Sequence, residues 1–182
     1  IILDTGTRRG LVDSAYNERR KQCESVASYF GKKALRDVSY KQLNEAKAKI
    51  DHTQFKRARH VIQENERVLD CAESLRLGNL DHVGKLMNSS HKSLRDDFEV
   101  SSDALDLIVE NALKAPGCFG ARMTGAGFGG CAVALVETLK TEDFVKKVLK
   151  SYHSSTGKKA RLYICKPSEG TSIYTKKEFT EH

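Results

Sequence analysis

The protein has 182 residues, 39% hydrophobic and 30% charged, a composition that excludes a disordered chain, and no apolar run approaches the roughly 20 residues a membrane-spanning helix requires. Its formal charge is +7, but the basic residues are scattered (Arg19-Arg20-Lys21, Lys56-Arg57, Lys146-Lys147, Lys158-Lys159) and no aromatic residues interleave with them, so neither nucleic acid nor membrane is expected as a partner. Cys23, Cys71, Cys118, Cys131 and Cys165 are an odd, dispersed set without a C-x-x-C pair, which suits small apolar residues in a reducing cytoplasm better than a disulfide framework or a zinc site.

In chain order, Ile1 to Thr5 is short and apolar and predicts a strand. The N-terminal IILDTGTRRG has neither the charged start nor the long apolar core of a signal peptide. It reads as a strand entered midway, as in a piece of a longer protein. Asp13 or Ser14 is placed to cap a helix running to Phe30 and closed by Gly31, with Tyr16, Cys23, Val26, Ala27 and Phe30 on its apolar stripe. A shorter helix is predicted over residues 39–48. A long one follows over about 53–77, where Phe55, Val61, Ile62, Val68, Leu69 and Leu75 keep helical spacing and Gly78 stops it. Leu80, Val83, Leu86, Met87 and Leu94 mark the next helix, with Met87, Leu86 and Leu94 assigned to the core. Ser101 or Ser102 caps another, with Leu105, Ile108, Val109, Ala112 and Leu113 inward and Pro116-Gly117 at its end.

The rhythm then changes. Residues 118–124 and 131–136 are short segments flanking a glycine-rich loop, and the valine-rich CAVALV of the second suits a buried strand. Thr141 is placed to cap a helix with Phe144, Val145, Val148, Leu149 and Tyr152 inward. Residues 161–166 alternate, with Leu162 and Ile164 on one face of a half-buried strand. From about Pro167 the chain is a polar tail, with a last short strand at 172–174. The order of strand, several helices, two strands, helix and strand predicts an α+β fold: one domain, with a mainly antiparallel sheet of about four strands and a block of helices packed on it.

Gly125, Gly127 and Gly130 satisfy G-x-G-x-x-G. A dinucleotide fingerprint needs a helix after the loop, whose N-terminus holds the pyrophosphate, and here a strand follows. A Walker A loop needs lysine where Cys131 stands. What remains is a connection between two strands with four glycines in the six residues Gly125 to Gly130, where a hairpin needs two. The excess implies either that another group approaches the backbone closely or that several residues take positive φ. Successive amides in such a loop can form an anion-binding nest, and an irregular hairpin packed on a helix is the plainer alternative.

ARMTGAGFGGCAV closely resembles the third signature of the GHMP small-molecule kinases in its galactokinase version. DSAYNERRKQCE, RARHVIQENERV and LMNSSHKSLRDDFEVSSDALD resemble galactokinases in the family's order. The resemblance extends over nearly the whole chain and is to the C-terminal half of a galactokinase. It implies transfer of the γ-phosphoryl of ATP, used with Mg2+, to the anomeric hydroxyl of galactose, in a cleft shared with an N-terminal lobe of the same protein. The family's early arginine and Glu-His-x-x-Asp motif, its Gly-Leu-Ser-Ser-Ser phosphate loop, its magnesium-binding glutamate and its catalytic aspartate are not found here. No catalytic or metal-binding residue is therefore assigned in this chain, and the isolated chain is expected to be inactive.

The residues carried over are few. Tyr16 matches the tyrosine of the family's sugar-contacting segment, although it also falls on its helix's apolar stripe. Thr124, Gly125, Ala126, Gly127, Phe128, Gly129 and Gly130 match the loop bordering the ATP phosphates. Arg8 is a candidate phosphate contact, balanced against an ordinary surface arginine. Asn17 and Arg19-Arg20 stand between helix packing and support of the cleft. Ser90-His91 with Asp96 invites a hydrolase reading, but hydrolytic triads are assembled from distant segments, and His91 is expected in the core or at a helix contact. Asp96-Asp97 and Asp103 are expected at helix ends. A catalytically silent sugar-sensing module and a related kinase acting on N-acetylgalactosamine are the competing readings.

Overall fold

The computed structural model describes residues 1–7, 12–168 and 170. Arg8 and the strand expected at 172–174 lie outside them. The elements are β1 (Ile2–Asp4), α1 (Val12–Tyr29), α2 (Tyr40–Glu45), α3 (His52–Arg76), α4 (Leu80–Asp96), α5 (Asp103–Leu113), β2 (Cys118–Met123), β3 (Cys131–Val136), α6 (Thr141–Thr156) and β4 (Arg161–Tyr163). The four strands form one antiparallel sheet in the order β2-β3-β1-β4, with Leu3 opposite both Ala132 and Leu162, and Ala121 opposite Ala134. The predicted α+β class holds, and among the described residues so does a sheet of about four strands. No helix among the described residues is long and apolar enough to cross a membrane, and all five cysteines are free thiols.

Helix starts follow local chemistry. Ser39 forms a capping box with Gln42, Asp51 accepts from the Gln54 amide, Asn79 from that of His82 and Ser102 from that of Leu105. Two predicted caps fail. Helix α1 already includes Val12, so Asp13 and Ser14 lie inside its first turn. Thr141 is the first residue of α6, its cap position is Lys140, and the Thr141 hydroxyl points back to the Glu137 carbonyl.

Among the described residues there are two apolar clusters. Leu3, Ala121, Met123, Ala132 and Ala134 of the sheet pack against Leu105, Ile108, Val109 and Ala112 of α5 and Phe144, Val148 and Tyr152 of α6. In CAVALV the alternate residues Ala132 and Ala134 are buried and the rest half-buried, so β3 turns one face to the core. A second cluster joins Val26 and Ala27 of α1 to Leu43, Phe55, Ala58 and Ile62. Helices α1, α2 and α3 thus pack chiefly on one another, whereas α4, α5 and α6 contact the sheet. Helix α3 outruns this cluster: Val68, Leu69 and Leu75 keep the spacing but are 59%, 74% and 53% exposed. Leu86 and Met87 are half-buried and, with Val68, Cys71, Ala72 and Leu75, line an open hollow of about 230 Å³ between α3 and α4. Ile164 lies beyond β4 and is exposed.

Helix α4 covers the free edge of β2, whose outward amides would otherwise be open to pairing with another strand. The Ala121 amide donates to Asn88 Oδ1 at 3.0 Å and the Met123 amide to His91 Nδ1 at 3.2 Å. Such closeness needs glycine on both sides. A Cβ on Gly84 would stand 1.9 Å from the Phe119 carbonyl oxygen, and one on Gly120 would stand 2.3 Å from that of Gly84.

Where α3 meets α4 the buried groups are polar. His60 Nδ1 lies 2.9 Å from Ser93 Oγ, whose hydroxyl donates to Asp97 at 3.2 Å, and Arg59 pairs with Asp97. Burial pushes His60 down to about 4, with Glu64 and Asp97 opposing and Arg67 and Arg122 assisting. Burial also lowers His91. Unfolded histidine titrates near 6.5, so the unfolded chain takes up these protons first. The contribution of His60 to stability is complete above about pH 6.5 and is lost as pH falls toward 4, and His91 acts in the same direction. Urea unfolding is therefore expected to show a midpoint that declines across this window, with a shallower decline in His60→Gln. An unchanged slope in that variant would exclude His60 as a source.

Candidate functional site

The loop between β2 and β3 is held at three points. At its base the Thr124 amide donates to the Cys131 carbonyl at 3.0 Å. On one side Thr5, fully buried, donates to the Gly130 carbonyl through its amide (3.1 Å) and its hydroxyl (2.7 Å), while its own carbonyl accepts from the Tyr152 hydroxyl. At the tip the Phe128 amide donates to the Val100 carbonyl at 2.7 Å.

Both explanations for the glycine excess operate. Gly125, Gly127, Gly129 and Gly130 all have positive φ (80°, 85°, 132° and 87°). The group that crowds Gly127 is the chain's own: a Cβ there would stand 2.1 Å from the Val100 carbonyl oxygen. Phe128 itself sits at φ 60°, a conformation that costs a bulky residue about 1–3 kcal/mol and persists only where its surroundings impose it. Among the described residues the amides of Gly125, Ala126 and Gly127 make no hydrogen bond, which leaves donors for an anion.

Tyr16, Arg19, Arg20, Leu94, Phe98, Val100, Gly125, Ala126 and Phe128 line one cavity of about 290 Å³. That is near the lower end of the roughly 300–1,000 Å³ typical of small-molecule sites. The sequence-predicted tyrosine and loop, over a hundred residues apart, are thereby brought together. Tyr16 is 57% exposed, so its place on the α1 stripe does not make it a core residue. Arg19 donates to the carbonyls of Phe98 (2.7 Å) and Glu99 (3.2 Å), which settles it as a support of the cavity wall, and Arg20 pairs with Glu24.

Phe98 and Val100 were not singled out from sequence, whereas Leu94, assigned there to the core, is buried and also lines the cavity. The signal available was their position in SLRDDFEV, which gives a resemblance but no geometry.

The serine–histidine reading ends here. Ser90 bonds to Glu64 and His91 accepts from the Met123 amide, while His91 Nε2 lies 3.2 Å from Asp106, not Asp96. That Nε2 contact lacks hydrogen-bond alignment. Asp96 and Asp103 are terminal residues of α4 and α5, and Asp97 is the C-cap of α4. Among the described residues, no group of three His, Cys, Asp or Glu side chains is placed to hold a metal ion.

Residues 71–155 match the family model described as GHMP kinases C terminal. The chain is 44% identical over 177 residues to the galactokinase of Mannheimia succiniciproducens, covering 95% of this chain and 46% of that one. It is 43% identical over 175 residues to the galactokinase of a Roseiflexus species, covering 93% and 45%. The crystal structure of Lactococcus lactis galactokinase complexed with galactose superposes with a TM-score of 0.84 at 39% identity, over 89% of this chain and 43% of that one. A mevalonate kinase from L. major shares the fold, with a TM-score of 0.52 at 23% identity. The chain spans about half the length of the curated relatives it matches.

Proposed function

Because the chain carries the GHMP-kinase C-terminal domain and corresponds to the C-terminal half of the galactokinases, we propose that it forms one wall of the cleft of a two-lobed galactokinase. The reaction is transfer of the γ-phosphoryl of ATP to the anomeric hydroxyl of galactose. In such chemistry the protein chiefly positions reactants and stabilises charge. The single observation that carries this reading is the shared cavity, in which Tyr16 and the glycine loop face the same space.

The parts divide by chemistry. The Tyr16 phenol, a donor and acceptor on a rigid ring, suits a sugar hydroxyl. The amides of Gly125, Ala126 and Gly127 suit phosphate oxygens. The catalytic base and the residues that hold Mg2+ belong to the N-terminal lobe.

Tyr16→Phe in the two-lobe protein is expected to lower kcat/KM for galactose. Loss of one neutral hydrogen bond is worth about 0.5–1.5 kcal/mol, or roughly two- to twelvefold. Unchanged kcat and KM would remove Tyr16 from the sugar site. The 182-residue chain alone is expected to form no galactose phosphate from ATP, and clear turnover would overturn the two-lobe reading.

A further inference from the structure

We propose that the buried Arg57 is a positioning residue for the glycine loop, acting through the turn that follows α4. This rests on the loop being a cleft wall. Arg57 lies in α3 and is 2% exposed. It donates from Nη1 to the Asp97 carbonyl, from Nη2 to Glu99 Oε2 at 2.7 Å, and from Nε to Gln22 Oε1 at 3.3 Å. Arg19 of α1 takes the next two carbonyls, those of Phe98 and Glu99. The carbonyl after these, Val100, accepts from Phe128. Four consecutive carbonyls in the turn just beyond α4 thus each have a donor, three from guanidinium groups, which lie close to the helix's negative end, where cations are favoured.

The turn is shaped by these contacts and not by its own preference. Glu99 is held at φ 55°, which few residues other than glycine adopt, and its carboxylate is fixed by Arg57 and Lys56. Hydrogen bonds from those two cations bring the Glu99 carboxyl down to about 2. The two non-glycine residues at positive φ, Glu99 in the turn after α4 and Phe128 in the loop, are therefore linked by one chain of contacts: Arg57 to the 97–99 turn, Val100 to the Phe128 amide, and Phe128 to the loop. Lysine cannot replace the fork, because a single ammonium does not span a backbone carbonyl and a carboxylate in fixed directions.

The test is Arg57→Lys, read by amide hydrogen exchange on the chain and by kinetics in the two-lobe protein. The Phe128 amide is expected to exchange about tenfold faster relative to the Ala121 and Met123 amides, which α4 side chains hold independently. The KM for ATP is expected to rise by a similar factor, with a smaller change in kcat. Equal acceleration of all three amides, or none at Phe128, would overturn the assignment. If Arg57→Lys does not fold, Glu99→Gln at the exposed end of the network decides it, with the same selective loosening expected at roughly threefold and its absence counting against the proposal. Selective loosening with unchanged ATP kinetics would leave the positioning role standing and remove the nucleotide reading of the loop.

Discussion

On the proposed galactokinase reading, Gly127→Val is expected to cut kcat/KM for ATP in the two-lobe protein by about a hundredfold or more, of the order reached when positioning fails. Two costs combine. The residue sits at φ +85° and its Cβ would stand 2.1 Å from the Val100 carbonyl oxygen, so the loop must leave the turn after α4 and break the Phe128 hydrogen bond. Left-handed strain is worth about 1–3 kcal/mol and overpacking a similar amount. Gly127→Ala is expected to share most of the defect, because the collision begins at Cβ and not at the branched methyl groups. Steady-state kinetics with ATP varied, beside urea unfolding of the same variants, separate a remodelled loop from a destabilised fold. Normal stability together with normal ATP kinetics would reduce the loop to a plain strand connection.

Gly84→Ala is expected to destabilise the chain by about 3 kcal/mol or more, against the usual sign for this exchange. In an ordinary helix interior the change gains about 1 kcal/mol. Here a methyl group 1.9 Å from the Phe119 carbonyl forces α4 away from β2. The amides of Ala121 and Met123 then lose Asn88 and His91, and a polar group left buried without a partner costs about 1–3 kcal/mol. Gly120→Ala tests the same contact from the strand side, with its Cβ 2.3 Å from the Gly84 carbonyl oxygen. Urea midpoints for the two variants should fall together. A neutral or stabilising Gly84→Ala would mean that helix and strand are not in backbone contact.

Much of the fold was legible because its signals are local. Of the predicted caps, Ser102 satisfies the first free amides of its helix; Ser39, Asp51 and Asn79, which sequence analysis did not assign as caps, do the same by equally local chemistry, and Gly157 ends α6 in the left-handed conformation. The switch from helical spacing to short valine-rich segments located β2 and β3. Burial was less legible. The stripe of α3 continues through Val68, Leu69 and Leu75, and periodicity states which face is apolar without stating where the partner surface ends. His91 beside Ser90 could not be placed from sequence either, since its bond to the β2 edge joins residues 32 positions apart.

By itself the sequence determined the α+β class, the strand–loop–strand setting of the glycines and the resemblance that singled out Tyr16, because each is written in neighbouring residues. Only the tertiary structure decided that Tyr16 is exposed beside the loop, that the group crowding Gly127 is the Val100 carbonyl, and that Arg57 and Arg19 clamp the turn between them. Those facts depend on close approach between segments far apart in the chain, and a distance of that kind is set by how helices and sheet pack, which no local pattern of residues records.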